Sequence, residues 1–173
     1  MKILYTSLLS FILLVQFVSC KKETVEVIDF SKHTATDINC ATMGTVDSTD
    51  WTYDEEWSTI ENSLMNFSDN ILVMDSMTGY VEVSPACPNP SEGLFVVGIN
   101  TERGCKMKLV CVNTEMEPLF FTSKQFTGGP IMTAYDFRLL SAFHKNMNYR
   151  MYYAFYNAQD SVYYKGHGDF RID

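Results

Sequence analysis

Near the C-terminus, Gly166-His167-Gly168-Asp169 sets an imidazole and a carboxylate two residues apart, on one face if the segment is a strand. Such a pair can relay a proton or hold a ligand, and the flanking glycines leave room for close backbone approach. The same four residues also read as a glycine-permitted bulge in a late strand. Of the other histidines, His33 stands in a polar N-terminal stretch and His144 in a Phe143-His144-Lys145 turn region. No His-x-x-x-His or Cys-x-x-Cys spacing suggests zinc. Asp54-Glu55-Glu56 lacks the alternating oxygens and glycine of a calcium loop, and neither a glycine-rich phosphate loop nor a Gly-x-Ser-x-Gly elbow occurs. We therefore assign no catalytic residue, no metal and no cofactor from the sequence. A small envelope hydrolase or metal-dependent enzyme using His167 and Asp169 stands as the alternative.

A second candidate is aromatic. In Tyr149-Arg150-Met151-Tyr152-Tyr153-Ala154-Phe155-Tyr156, the parity of Tyr149, Met151, Tyr153 and Phe155 should face a core. The other parity then presents Arg150, Tyr152, Ala154 and Tyr156, with Tyr163 or Tyr164 nearby on the next strand and His167 added, as a candidate binding surface for a glycan or protein. These residues equally fit cross-strand aromatic pairs, or the floor beneath a docked helix. A net charge of −8 with no basic cluster excludes nucleic acid as an expected partner.

The elements that must position these groups begin after a leader. Lys2 is followed by a largely apolar stretch over residues 3–18, then Ser19, Cys20 and Lys21-Lys22. A positive start, a short apolar run and a small residue before the cleavage point make a secretory signal. The run is too short for a spanning helix, which needs roughly 20 apolar residues. Phe17-Val18-Ser19-Cys20 resembles the bacterial lipobox, with phenylalanine where leucine is usual. That resemblance implies acylation of Cys20 and a lipid anchor in the cell envelope, the outer membrane being the expected site.

Five cysteines leave an odd one, and Cys20 accounts for it. Cys40, Cys87, Cys105 and Cys111 remain for an oxidising compartment. Cys105 and Cys111 bracket one apparent strand, about 20 Å apart at about 3.3 Å per residue, beyond the roughly 7 Å reach of a bridge. The expected bridges therefore join Cys40 or Cys87 to Cys105 or Cys111, unless some are simply buried thiols.

Four segments follow from the patterning: a signal peptide over residues 1–19, a polar tether over 20–50, an amphipathic helix segment over 51–70 and a β-domain over 71–173. Thr52 and Glu55 fit a capping box, and Trp57, Ile60, Leu64 and Phe67 recur at helical spacing. Residues 71–74 and 80–83 flank a turn and read as a hairpin, and further short β-rich runs continue to residue 172. No Lys or Arg occurs between Lys32 and Arg103, whereas basic residues return afterwards; this asymmetry fits solvated charge, the commoner case, or docking of the acidic half on a basic face of the sandwich. The fold class is mainly β: an immunoglobulin-like antiparallel β-sandwich with one short N-terminal amphipathic helix docked on it.

Ala86-Cys87-Pro88-Asn89-Pro90-Ser91-Glu92-Gly93-Leu94-Phe95 resembles the Pro-Asn-Pro-Ser-x-Gly-x-Phe opening of Bacteroidetes surface proteins, including type IX secretion sorting domains. That resemblance implies an immunoglobulin-like sandwich whose first strand starts near Leu94. Asp50-Trp51-Thr52-Tyr53-Asp54-Glu55-Glu56-Trp57 ahead of it is similar to small uncharacterised envelope lipoproteins of that group. Asp47-Ser48-Thr49, Asp75-Ser76-Met77 and Asp160-Ser161-Val162 resemble the O-glycosylation tripeptides of such bacteria. The expected function is a lipid-anchored, non-enzymatic binding or accessory module, with a secretion or sorting domain as a further alternative.

Overall fold

The computed structural model describes residues 29–30, 32–44 and 46–173. The signal peptide and Cys20 lie outside the described residues. Along the chain run β1 (Thr52–Tyr53), α1 (Thr59–Ser63), β2 (Val81–Val83), β3 (Leu94–Thr101), β4 (Cys105–Val112), β5 (Pro118–Phe126), β6 (Gly129–Asp136), β7 (Met147–Tyr156) and β8 (Val162–Ile172). They form two antiparallel sheets, ordered β1-β8-β7-β4-β5 and β2-β3-β6. Alternation drives their packing. Phe95, Val97 and Ile99 of β3 point inward at Met107 of β4, at Met151, Tyr153 and Phe155 of β7, and at Phe170 of β8. The expected antiparallel sandwich is what forms.

Gly93 takes a positive φ of 92° at the mouth of β3, where its carbonyl accepts from the Phe137 N–H at 2.8 Å. Strand β3 then starts at Leu94. Phe137 stacks on Phe143 with ring centroids 4.2 Å apart, and Phe143, Tyr149 and Phe170 continue the aromatic contacts. Each large side chain buried this way contributes roughly 1.5–3 kcal/mol relative to exposure.

A third layer covers the outer face of the larger sheet. Phe30, Trp57 and Met65 pack on Val110, Val112, Tyr152, Ala154 and Tyr156. This explains why β4, expected to alternate apolar and solvated positions, is buried along both faces apart from the half-buried Lys108. The region expected as a tether therefore behaves differently over its described part. Thr36 exchanges backbone hydrogen bonds with Asn89, at 2.8 and 3.1 Å, and Thr34 donates its N–H to the Asp50 carboxylate at 2.8 Å. Buried backbone groups need partners, and here the partners are on the domain itself.

The expected helix over residues 51–70 is mostly not helical. Thr52 and Tyr53 pair with His167 and Gly166 as β1, while Trp51 and Asp54 donate their N–H groups to the His167 and Lys165 carbonyls. Trp, Thr and Tyr favour a strand over a helix, and the open edge of β8 satisfies their backbone. The helix is reduced to Thr59–Ser63, and the capping box belongs to Ser58 and Glu61 instead of Thr52 and Glu55. The expected hairpin at 71–83 is also reduced, to Val81–Val83 paired with β3. Leu72 and Met74 point into solvent, so no apolar alternation holds residues 71–74 in a sheet.

Candidate functional site

Strand pairing brings Arg150, Tyr152 and His167 onto the outer face of the large sheet, with Asp169 beside Arg150 and His167 beside Tyr152 in register. The residues expected as an exposed binding surface are not exposed. Tyr152 is fully buried, and Arg150, Tyr156 and His167 are buried as well. The third layer lies on them. Trp57 meets the Tyr152 ring edge-on at 5.4 Å, Tyr152 donates its hydroxyl to Glu61 at 2.9 Å, and the Arg150 guanidinium lies 4.9 Å over the Phe30 ring.

The histidine–aspartate pair is likewise committed to structure. Arg150 donates Nε to Asp169 Oδ1 at 2.6 Å and a terminal nitrogen to Oδ2 at 2.7 Å. Asp50 accepts the Asp169 backbone N–H on Oδ1 at 2.6 Å and the Thr34 N–H on Oδ2 at 2.8 Å. Burial and the neighbouring Asp169 carboxylate push the Asp50 carboxyl up to about 7. Burial, reinforced by the Arg150 cation, holds His167 below its ordinary value. At neutral pH it is an uncharged ring, and its Nδ1, 3.3 Å from Asp54 Oδ2, makes no good hydrogen bond. The two glycines have a structural reason. A Cβ on Gly166 would meet the Thr52 carbonyl oxygen, and one on Gly168 would meet the Trp51 indole. The close approach expected for a ligand is that of the chain's own N-terminal layer.

The acidic half does dock on a basic face. Asp69, half-buried with its side chain largely covered, sits 3.3 Å from Lys106 and 3.5 Å from Lys108, and Lys106 also binds Asp160 at 2.7 Å. Lys108 donates further to the Met65 and Phe67 carbonyls, at 3.1 and 2.6 Å. These charges pin the third layer where the chain leaves α1.

The disulfide expectation is corrected. Cys40 pairs with Cys87, across a Cα–Cα distance of 5.1 Å, while Cys105 and Cys111 are buried free thiols. Cys105 and Cys111 do not pair, as strand geometry requires. They share the inner face of β4, which no cysteine of the N-terminal layer can reach, whereas Cys40 sits beside the 87–90 segment through the Thr36–Asn89 pairing. His33 is half-buried with its ring lowered by burial and by Arg171, and His144 is exposed with its N–H on the Tyr149 hydroxyl at 2.6 Å.

The third layer does not cover the sheet completely. Where α1 passes over β7 and β8 it leaves a groove of about 430 Å³, lined by Tyr53, Trp57, Asn62, Asn66, Tyr156 and Lys165, with Tyr163 and Tyr164 beside them. Trp57 and Tyr156 form a buried floor. Tyr53, 51% exposed, sits at the edge of the groove, its ring turned to Tyr164 at 5.4 Å, and Tyr164 in turn packs on Tyr153 and Phe155 of the inner core. The Lys165 ammonium lies 5.1 Å over the Trp57 ring and makes no ion pair with a carboxylate among the described residues. Asn62 donates to the Trp57 and Ser58 carbonyls, both at 2.8 Å, and among the described residues its own oxygen and the Asn66 side-chain amide have no hydrogen-bond partner.

No family model matches the chain. No curated protein matches it either. Among solved structures it is similar to wild-type OgpA from Akkermansia muciniphila, at 14% identity and a TM-score of 0.41 over 59% of this chain and 30% of that one. A second match is catalytically inactive OgpA in complex with an O-glycopeptide (glycodrosocin) substrate, at 12% identity and a TM-score of 0.39 over 58% and 30% of the two chains. The chain thus spans under a third of the length of either. Likeness at that level assigns it no activity.

Of the residues lining the groove, Ala154 and Tyr156 belong to the surface expected from the sequence, and Tyr163 and Tyr164 to the strand expected beside it. Tyr53, Asn62, Asn66 and Lys165 carry no signal of their own, because the groove exists only once residues 51–66 lie across β7 and β8.

Proposed function

We propose that this protein is a lipid-anchored module of the cell envelope that binds an envelope ligand through the Tyr53–Trp57–Lys165 groove, without catalysing a reaction. The groove carries the reading: it combines a buried aromatic floor with side-chain amides that are unpaired among the described residues and a cation, the mix found in recognition sites. The His167–Asp169 enzyme is the weaker alternative, since Asp169 is held by Arg150 and both side chains are buried. A Cys40–Cys87 bridge suits an exported protein, and Cys20 supplies the anchor by its lipobox resemblance.

Labelling cells with an alkynyl palmitate tests the anchor. The wild-type chain should be labelled and sediment with membranes, and Cys20→Ala should lose both properties; a wild-type chain that is unlabelled and soluble overturns it. A photo-crosslinking residue at Tyr53 in intact cells tests the binding. It should give one discrete adduct that the same residue at Met132, on the opposite sheet, does not give. Identical patterns from the two positions overturn the binding reading.

A further inference from the structure

The loop between β6 and β7 presents apolar side chains that the domain itself does not use. Leu139 is 89% exposed, and Leu140 and Met147 are exposed beside it, whereas Phe137 and Phe143 of the same loop pack on the core. The loop is pinned. Phe143 stacks on Phe137 at 4.2 Å, the Leu140 N–H donates to the Phe137 carbonyl and the Phe143 N–H to the Leu140 carbonyl, both at 3.1 Å. The Tyr149 hydroxyl accepts the His144 N–H at 2.6 Å. Leu139 is thus held outward on a fixed turn, at the cost of leaving apolar surface in water. Arg138 and Lys145 flank it; Arg138 is paired with Asp136, and Lys145 has no ion pair among the described residues.

The course of the chain says what lies against this turn. The Phe30 carbonyl accepts from the Asn148 side-chain amide at 2.8 Å, and the Arg150 guanidinium lies 4.9 Å over the Phe30 ring. Residue 30 is therefore seated at the end of the sandwich where β7 begins and the 137–146 loop turns. Asp29 is nine residues from Cys20, a span of at most about 32 Å at about 3.6 Å per residue. A lipid on Cys20 keeps this end of the domain close to the bilayer. Leu72 and Met74 are exposed as well, Met74 to the same 89%, but they stand at the opposite end. There the Asp75 carbonyl accepts the Ala158 N–H at 2.9 Å, just beyond β7. Strand β7 is 10 residues long, about 30 Å at about 3.3 Å per residue, so that end reaches the bilayer only with residues 21–29 drawn nearly straight.

We infer that the Leu139–Leu140 turn is the surface on which the domain rests against its own membrane, with Leu139 inserted among the lipid headgroups. This rests on the lipid anchor at Cys20 proposed above. Insertion and not charge has to hold the contact, because the protein carries −8 overall and Glu115 and Glu117 stand on the adjoining β4–β5 loop. A weak contact suffices, since the anchor makes it intramolecular and raises its effective concentration. A protein partner would find the same leucines, but the linking residues hold the bilayer at this end of the domain.

The test uses the acylated chain in intact cells, with a benzophenone residue at position 139 or, as an equally exposed control, at position 74. After irradiation the purified protein is examined by mass spectrometry for lipid adducts. Position 139 should give them at about tenfold the yield of position 74. A benzophenone at position 147 should capture lipid too, and adding Leu139→Ser should cut that yield about tenfold, the effect of keeping roughly two methylenes out of the membrane. Leu139→Ser should leave the unfolding midpoint unchanged, which separates lost insertion from lost folding. Equal lipid yields at 139 and 74 from a chain that is palmitate-labelled and sediments with membranes overturn the inference and leave the anchor standing. A yield at 147 that Leu139→Ser does not change overturns it too. So does a discrete protein adduct at 139 without lipid, which would give the turn to a protein partner. A chain without palmitate label overturns the anchor, and the inference with it.

Discussion

Trp51 lies flat against the backbone at Gly168, occupying the space that any side chain at residue 168 would need. The tryptophan takes a positive φ of 60° to reach this position and stacks over Tyr153 at 6.3 Å. One contact therefore joins the N-terminal layer to the sheet it covers.

Gly168→Ala should cost stability by overpacking. Inserting even one methyl into a tightly packed site costs about 1–3 kcal/mol, and here the neighbour is a rigid indole. Urea unfolding of Gly168→Ala should show a lowered midpoint, and pairing it with Trp51→Ala should restore part of the loss. A double variant no better than the sum of its parts would show that the two residues do not compete for the same space.

Asp50 should make stability depend on pH in a particular direction. Its folded value of about 7 stands above the ordinary 3.8, so the folded state binds the proton more tightly than the unfolded chain. The resulting stabilisation is complete below pH 3.8 and is lost as pH rises towards 7, a change on the order of a few kcal/mol. Burial raises Asp169 too, which adds to the same trend. His167 opposes it, since a lowered histidine gives up stability as pH falls through 6.5. Comparing wild type with Asp50→Asn isolates the first term. The wild-type advantage over the variant should shrink steadily between pH 4 and 7, and a gap that stays flat would contradict the burial of a strained carboxyl at this position.

The Cys40–Cys87 bridge closes a span of 47 residues. Chain entropy assigns such a loop about 4 kcal/mol, so removing the bridge with Cys40→Ser and Cys87→Ser should lower the unfolding midpoint markedly. Thiol titration of the oxidised Cys20→Ser chain should find two reactive groups, Cys105 and Cys111, and only after denaturation. Four reactive thiols, or two that react in the folded state, would contradict this arrangement.

Much of the sandwich was legible. The strand start near Leu94, the alternation over residues 149–155 and the β-rich run reaching residue 172 all correspond to observed strands. The charge asymmetry also carried information, since Asp69 does meet Lys106 and Lys108. Of the expected stripe of Trp57, Ile60, Leu64 and Phe67, three residues dock on the sheet as expected, whereas Ile60 is exposed and most of the stripe is not helical. What misled was treating residues 20–50 by composition: polar residues with turn formers look like a tether whether or not a sheet edge lies nearby.

By itself, the sequence determined the β-class, the long strands around residues 105–112, 149–155 and 162–172 and the impossibility of a Cys105–Cys111 bridge, because period-2 patterning and strand length are local properties. Only the tertiary structure decided that Tyr152, Arg150 and His167 are covered, that Cys40 finds Cys87, and that a groove opens beside Lys165. Those outcomes depend on contacts such as Asp50 with the Asp169 amide, 119 residues apart. No local pattern encodes a pairing at that distance. It arises because the N-terminal layer finds on the outer face of β7 and β8 the partners that its buried backbone and acids require.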